Sequence, residues 1–252
     1  LALLTGNGNQ LIGENTLRTS TAGTNCVAIG SGALYTANHT SNDGTVAIGN
    51  QAGNVQASTS GAQYAAAQVY IGYNAGLSVT TGIRNILIGK DAGKLITTGA
   101  SNVAIGFNAL DALAGTAGED NDGNHNIAIG QSAMGAVNAY TNDSALADGN
   151  IAIGTDALLG GVFADADLHL EGNIAIGHNA LDATGTNAHT GTIAIGHKAL
   201  TNCTSGASNT FIGYQSGDGI TTSGFNTAVG YQTLGASSAD SITTAGYNVC
   251  MG

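Results

Sequence analysis

The sequence contains no proline and no tryptophan, and only 5 of its 252 residues are Lys or Arg. So few cations cannot track a phosphate backbone, so we expect no binding to nucleic acid. No stretch of about 18 apolar residues occurs, which a membrane-spanning helix would need, so we expect no membrane insertion. Charged residues make up only 8% of the chain, and the formal net charge is -11.

Cysteines are scarce as well. Cys26, Cys203 and Cys250 lie far apart and no C-x-x-C pair occurs, which excludes a zinc ribbon or a thioredoxin-like motif. We expect small buried thiols, because free cysteine behaves as a small hydrophobe. Neither a metal nor another cofactor is expected.

What is present is a repeat, aligned on the glycine of Ile-Gly. The clearest copies are Asn102–Gly106, Asn126–Gly130, Asn150–Gly154 and Asn173–Gly177, and looser copies bring the number to thirteen. Successive glycines are 17 to 24 residues apart. Such units cannot bury a core alone and are predicted to stack as coils of a solenoid. Residues 1–252 are therefore predicted to be one solenoid domain, and we expect it to be an internal piece of a longer fibre protein.

The motif itself predicts strands. Val/Ile-Ala-Ile-Gly alternates large and small residues with period two, and glycine with β-branched residues disfavours a helix. We expect each unit to hold one strand, a turn after the glycine, a second strand through Leu and Ile or Val, and a second turn. About 12 coils of 17–24 residues would then form an all-β parallel β-solenoid about 55–60 Å long.

The alternation also suggests how chains assemble. Large residues such as Val103 and Ile105 share one strand face, and small ones such as Ala104 and Gly106 share the other. We expect the large face to fill the coil and the Ala/Gly face to meet other chains, since glycine permits close backbone approach. Replacing Ala128 and Ala152 by Glu is then expected to prevent assembly.

These motifs resemble known fibre proteins. Asn-x-Ala-Ile-Gly-x-x-Ala is similar to the head repeats of trimeric autotransporter adhesins, and Asn226–Gln232, with the sequence Asn-Thr-Ala-Val-Gly-Tyr-Gln, resembles the repeats of bacteriophage tail fibres. The resemblance covers nearly the whole chain. It implies a left-handed β-roll with three parallel chains around one axis, a homotrimer found in a virion or on a cell surface.

Chemical motifs are weak by comparison. An aliphatic residue every six positions, as in left-handed β-helix acyltransferases, is not kept, and the Gly-Gly-x-Gly-x-Asp nonapeptide of calcium-loaded β-rolls is absent. His178 and His197 share one repeat position with aromatic residues, which predicts a column of stacked rings rather than a metal site. His39, His125, His169 and His189 are expected to be exposed.

Recognition is predicted to lie in the insertions between Gly106 and Gly177, because insertions in a solenoid project from one region. Aromatic rings beside carboxylates are suited to holding a sugar. The alternative is that these loops only cap the coils or contact a neighbouring chain. The candidate receptor-binding residues are Glu119, Asp120, Asp122, Tyr140, Phe163, Asp165, Asp167 and His169.

We therefore expect a non-enzymatic, adhesive segment of a phage tail fibre. Its expected partners are two further copies of itself, other fibre or virion proteins, and a glycan or protein receptor on the host surface. The alternatives are a bacterial surface adhesin head, a solenoid hydrolase acting on surface polysaccharide, and an ice-binding solenoid. The hydrolase would need two carboxylates in a groove, and the ice-binding protein would need a flat array of threonines.

Overall fold

Short strands occur at the Val/Ile-Ala-Ile positions of the repeat. The computed structural model describes residues 7–19, 24–36, 43–55, 68–113, 123–137, 147–161, 169–185, 187–235 and 246–252. The strands are β1 (Gln10–Ile12), β2 (Val27–Ile29), β3 (Val46–Ile48), β4 (Val69–Ile71), β5 (Ile86–Ile88), β6 (Val103–Ile105), β7 (Ile127–Ile129), β8 (Ile151–Ile153), β9 (Leu170–Glu171), β10 (Ile174–Ile176), β11 (His189–Thr190), β12 (Ile193–Ile195), β13 (Thr210–Ile212), β14 (Thr227–Val229) and β15 (Val249–Met251). One 3₁₀ turn, Asp182–Thr184, accompanies them.

All strands except β9 and β11 form one parallel sheet in chain order. The repeat positions stay in register from strand to strand, as in the pairing of Ala104 with Ala128. Its 13 strands give twelve steps of about 4.8 Å, so the sheet is roughly 58 Å long. The two remaining strands pair with each other, His189 opposite Leu170. The chain is therefore an all-β solenoid, as its repeat predicts.

A column of glycines from Gly13 to Gly230 follows the strands β1 to β14 of the main sheet, with φ between 125° and 142°. A Cβ at Gly106 would collide with the backbone of Gly130 in the next coil. Glycine is needed here because the backbone conformation excludes L side chains and because adjacent coils touch. The close backbone approach that the sequence suggests is real, but the approaching backbone belongs to the same chain.

The strand faces are the reverse of the sequence-based expectation. The middle residue of β7, Ala128, is fully buried inside the coil, and so is Ala152 of β8. The flanking residues Ile127 and Ile129 lie on the outer face and are only partly buried. The prediction that the alanine face meets other chains is wrong. Period-two alternation shows which residues share a face, but not which face is turned inward.

In most described coils the predicted second strand is absent and the segment after the glycine is a turn, whereas two adjacent coils each contain a second short strand, β9 and β11. Asn108 and Leu110 both have positive φ, 54° and 53°, and two left-handed residues so close together curl the chain. This segment still bonds to the next coil, because the Leu110 amide donates to the Ala133 carbonyl at 3.0 Å. The solenoid thus has a strand on one side and stacked turns on the other.

A buried ladder of asparagines crosses the coils beside the sheet. The Asn102 side-chain oxygen accepts bonds from the backbone amide of Asn126 at 2.9 Å and from its side-chain amide at 3.2 Å. The Asn126 amide group also donates to the Ala147 carbonyl at 2.6 Å. Each Asn therefore satisfies backbone groups that water does not reach. The same bonding links Asn85, Asn102, Asn126, Asn150 and Asn173 in sequence.

The coil interior is filled in two alternative ways. Most coils place alanine in the middle of the strand and a buried leucine in the turn, as with Ala104 and Leu110. Three coils instead have a large residue in the strand and a glycine in the turn: Tyr70 with Gly76, Leu87 with Gly93, and Phe211 with Gly217. A Cβ at each of these glycines would overlap the large side chain of its own coil. In these three coils the strand residue and the turn residue share one space, so a large side chain at one position requires glycine at the other. The coil of Ala47 and Gly53 has a large side chain at neither position, and a Cβ at Gly53 would meet the Tyr70 ring of the next coil at 2.6 Å.

Candidate functional site

An apolar stripe runs along the outer face of the sheet, and we call it the outer ribbon. It consists of two columns of side chains that flank the buried middle residue of each strand. The first column is Gln10, Val27, Val46, Val69, Ile86, Val103, Ile127, Ile151, Ile174, Ile193, Thr210, Thr227 and Val249. The second is Ile12, Ile29, Ile48, Ile71, Ile88, Ile105, Ile129, Ile153, Ile176, Ile195, Ile212, Val229 and Met251.

The outer ribbon carries no charged side chain along its thirteen strands. None of its side chains is fully buried within the chain, and Ile12, Val249 and Met251 at its two ends are 64%, 76% and 79% exposed. A half-exposed strand face usually carries polar residues, and monomeric proteins rarely expose long apolar patches. This surface is therefore suited to packing against another apolar surface.

A column of aromatic and imidazole rings follows the glycine column, as the sequence predicts. His178 stacks on His197 with ring centroids 5.3 Å apart, His197 on Tyr214 at 5.1 Å, and Tyr214 on Tyr231 at 5.5 Å, each pair within 8° of parallel. Lys90 separates the earlier rings and lies 5.0 Å from the centroid of Phe107. Because the rings cover each other's faces, the column offers mainly edges to a ligand.

A second pair of exposed rings lies just before the last two strands of the sheet. Phe225 and Tyr247 stack with centroids 5.0 Å apart, and they have φ of 61° and 64°. The same position in other coils holds residues that tolerate positive φ, such as Gly44 and Asn25. Bulky side chains in this conformation are unusual, and both remain more than half exposed.

Most of the candidate receptor residues lie outside the described residues. Glu119, Asp120, Asp122, Tyr140, Phe163, Asp165 and Asp167 belong to this group. His169 is described: its Nδ1 lies 3.6 Å from the Glu171 carboxylate. Its carbonyl accepts a bond from the His189 amide at 2.9 Å. No ligand-binding arrangement involving His169 follows from these contacts.

Two histidine expectations have different outcomes. His125 is exposed, as predicted, whereas His189 is fully buried. Burial lowers the pKa of His189, and the backbone groups of Thr204 and Gly206 partly oppose that shift. The prediction for His189 is wrong because its coil contains a second short strand, β11, which pairs with β9 of the preceding coil and places the residue on an inward-facing position. His39 lies outside the described residues.

Three of the chain's five cations, Arg84, Lys90 and Lys94, lie close together in sequence, and two of them pair with Asp91. The Asp91 carboxylate lies 3.4 Å from the Lys90 ammonium and 3.8 Å from that of Lys94. It also accepts a bond from the Asn74 amide at 2.9 Å. Nearby, burial raises the pKa of Asp111 to about 6; its own backbone hydrogen bond and Lys94 oppose that shift, while Asp91 adds to it. The ion pairs and the amide occupy Asp91, so this group stabilises the coil edge.

A polar cleft lies on the turn side of the first described coils. Its volume is about 320 Å³, and its lining residues are Asn15, Ser31, Gly32, Tyr35, Asn50, Gln51 and Asn54. Arg18 donates to the Tyr35 hydroxyl at 2.9 Å, and its guanidinium carbon lies 5.6 Å from the centre of that ring. The repeat pattern alone does not indicate this cleft. The available signal is the Ser31-Gly32 pair, which interrupts two columns of larger side chains.

The thiols behave as the sequence predicts. Cys26 and Cys203 are buried, and Cys250 is partly buried. Burial raises the pKa of Cys203 to about 12 and also raises that of Cys26. Both thiols are therefore poor nucleophiles at neutral pH.

Neither a metal site nor a membrane span is found among the residues that the structure describes. In these ranges no three His, Cys, Asp or Glu side chains are grouped so that they could hold a metal ion. Likewise, no helix there has the length and apolar character needed to cross a membrane.

Comparison of the chain with protein-family models, with curated proteins and with solved structures gave no match.

Proposed function

We propose that this chain is a non-enzymatic segment of a trimeric fibre of the phage tail-fibre type, exposed on a virion and used in attachment to a host surface. Three parallel copies would form the rod. The resemblance of the Asn-x-Ala-Ile-Gly repeats to fibre and adhesin repeats supports a left-handed coil and three-fold assembly. The outer ribbon is the observation that carries the proposal.

The outer ribbon gives the assembly a physical cause. Three parallel solenoids around one axis would each turn this face inward and bury it against the other two. Burying apolar surface contributes about 25 cal/mol per Å², and each ribbon is a sheet roughly 58 Å long. The chains meet through the Val/Ile face, since the alanine face fills the coil interior.

A rod of this kind also suits attachment. The ring column and the polar cleft both follow the glycine column, so they lie on the turn segments rather than on the strands of the outer ribbon. Assembly through the ribbon leaves these surfaces free for a receptor, such as a glycan or a protein on a host cell.

The test is the oligomeric state in solution. Sedimentation or light scattering of the purified chain is expected to give three times the chain mass. Changing Ile129 and Ile153 to Lys is expected to yield a folded monomer, because these side chains point out of the coil and unpaired charges in an apolar interface cost several kcal/mol.

The matched control is Leu95→Lys, which introduces the same charge at an exposed apolar residue outside the outer ribbon. This variant is expected to remain trimeric. A monomeric wild type would contradict the proposal, and so would a trimer that tolerates both lysines. Adsorption of the labelled trimer to a panel of bacterial strains then tests the attachment role.

A further inference from the structure

The polar cleft exists because one coil lacks a side chain that every other described coil has. Two residues after each column glycine, the backbone is left-handed, with φ between 52° and 69°. Asn, Gln, Asp, Ser and Lys all occupy this position, and Gly32 is its one glycine among the described coils. Since Asn15 and Gln51 adopt the same conformation in the adjacent coils, the backbone does not require glycine at 32.

The neighbouring column has a similar gap. The residue directly after the column glycine is large in most coils, for example Tyr73, Phe107 and Gln131, whereas Ser31 is small. Both small residues, Ser31 and Gly32, lie in the same coil, and the coils on either side carry larger side chains at these two positions. They leave a depression of about 320 Å³, at the small end of the range for ligand pockets, which is about 300–1,000 Å³.

The lining is uncharged and rich in amides. The Asn54 side-chain amide donates to the Gly32 carbonyl at 3.0 Å, which holds that side chain at the cleft. Asn15, Asn50 and Gln51 are exposed there. Each carboxamide has two donor hydrogens and an acceptor oxygen, so the lining can both give and accept hydrogen bonds.

Tyr35 adds an aromatic ring to this lining. Arg18 holds the ring through the hydroxyl bond and through its position near the ring. A held ring provides an apolar surface at low entropic cost.

From these features we infer that the cleft binds a neutral saccharide unit. Sugar hydroxyls donate and accept hydrogen bonds on adjacent carbons, and the carboxamides and Ser31 match that chemistry. The C–H face of a pyranose can pack on the face of the Tyr35 ring that the Arg18 guanidinium does not cover. An uncharged sugar also avoids repulsion from a chain whose formal net charge is -11. The cleft is formed within one chain, so the inference rests on the proposed function only for the source of the saccharide, a glycan on the host.

The experiment is saturation-transfer NMR and calorimetry with the methyl glycosides of glucose, galactose, mannose and N-acetylglucosamine. Methyl glucuronide serves as the acidic comparison. The wild-type chain is expected to bind at least one neutral glycoside. Gly32→Asn refills the gap: an added Cβ would lie 3.3 Å from Asn54 Nδ2, which must shift slightly, and 3.6 Å from Gln51 Cγ. Binding is expected to fall at least tenfold.

Gly149→Asn is the matched control, because Gly149 has φ of 65° and nothing lies within 4 Å of an added Cβ. It is expected to bind like the wild type. Ser31→Gln is a second cleft-filling variant that needs no change at glycine, with Thr155→Gln as its control at the same repeat position. A thermal melt of each variant confirms folding.

Three outcomes overturn the inference: no neutral glycoside binds the wild type, the refilled variants bind as well as it does, or only the glucuronide binds. These outcomes are independent of the trimer test. A monomer that binds a neutral glycoside would contradict the proposed trimeric fibre but support saccharide binding in the cleft. A trimer that binds none would support the fibre but contradict saccharide binding.

Discussion

The coil around Phe211 and the coils on either side of it fill the same interior in opposite ways. Phe211 reaches from the strand towards Gly217, whereas the neighbouring coils place Ala194 opposite Leu200 and Ala228 opposite Leu234. Both arrangements keep the strand register unchanged. In these coils the structure therefore constrains the volume that the strand and turn positions share, rather than the residue at each position, as expected for an interior packed to crystal-like density.

The coil around Tyr70 extends the comparison to polar groups. Tyr70 brings a hydroxyl into the core, where it donates to the Gln68 side-chain oxygen at 2.5 Å. Gln68 occupies the position that Asn holds in most coils, and its amide donates to the Gly82 carbonyl at 2.9 Å. Tyr70, Gln68 and Gly76 thus change together, because a buried hydroxyl needs an acceptor and a large ring needs space.

The largest effect is expected when the Phe/Gly pair in the interior of this coil is replaced by the Ala/Leu pair of its neighbours. Phe211→Ala is expected to lower the free energy of unfolding by about 3–5 kcal/mol because it leaves a cavity. Gly217→Leu alone is expected to destabilise by about 1–3 kcal/mol through overpacking. The double variant recreates the neighbouring Ala/Leu arrangement and is expected to recover most of this loss. Urea unfolding of all four proteins, at one protein concentration, measures the coupling.

Additive effects in that cycle would contradict the volume argument, because residues that share one space are expected to couple by about 0.5–3 kcal/mol. A cycle in which only Gly217→Leu destabilises would show that the left-handed turn, and not the core volume, selects the glycine.

A smaller effect is expected from Tyr70→Phe. The ring still fills the coil, but Gln68 loses the bond from the hydroxyl and keeps only that from the Asn85 amide at 3.4 Å. A poorly satisfied buried acceptor costs about 1–3 kcal/mol. The control, Tyr214→Phe, removes a hydroxyl from a half-exposed ring and is expected to change the unfolding free energy by less than about 0.5 kcal/mol. Equal losses in the two variants would contradict the role of Gln68.

The smallest effect is expected in the pH dependence of stability, through the Asp111 carboxyl at the edge of its coil. The pKa of Asp111 is raised to about 6, so its carboxylate destabilises the native state at higher pH, and this penalty disappears as the pH falls through 6 towards 3.8. Asp111→Asn is therefore expected to be more stable than the wild type at pH 7.5, with the difference shrinking by pH 4.5. Thermal melts at several pH values measure it.

The control for the pH series is Glu14→Gln, which neutralises an exposed carboxyl and is expected to give no such trend. His189 is present in both proteins, and its effect on stability has the opposite pH dependence to that of Asp111. Its lowered pKa means that stability decreases as the pH falls below its unfolded value of 6.5. A difference between Asp111→Asn and the wild type that grows towards low pH would contradict the assignment.

The sequence alone determined that the chain is a parallel β-solenoid, because the spacing of its Ile-Gly motifs and its period-two alternation permit little else. It also determined the ring column of His178, His197, Tyr214 and Tyr231, since residues at one repeat position must stack. The Ala/Gly positions also indicated a close backbone approach, but they assigned it to a neighbouring chain, whereas the adjacent coil of the same chain makes it.

Only the tertiary structure decided which strand face is inside. Alternation is symmetric between the two faces, and the choice depends on the opposing turn, where Leu110 and its equivalents already occupy the core and leave room only for alanine. The second strand failed to form for a related reason: left-handed residues such as Asn108 and Leu110 curl the chain, and no local propensity predicts leucine there. The cleft at Gly32 depends on what the adjacent coils place around a missing side chain, which becomes visible only when the coils are stacked.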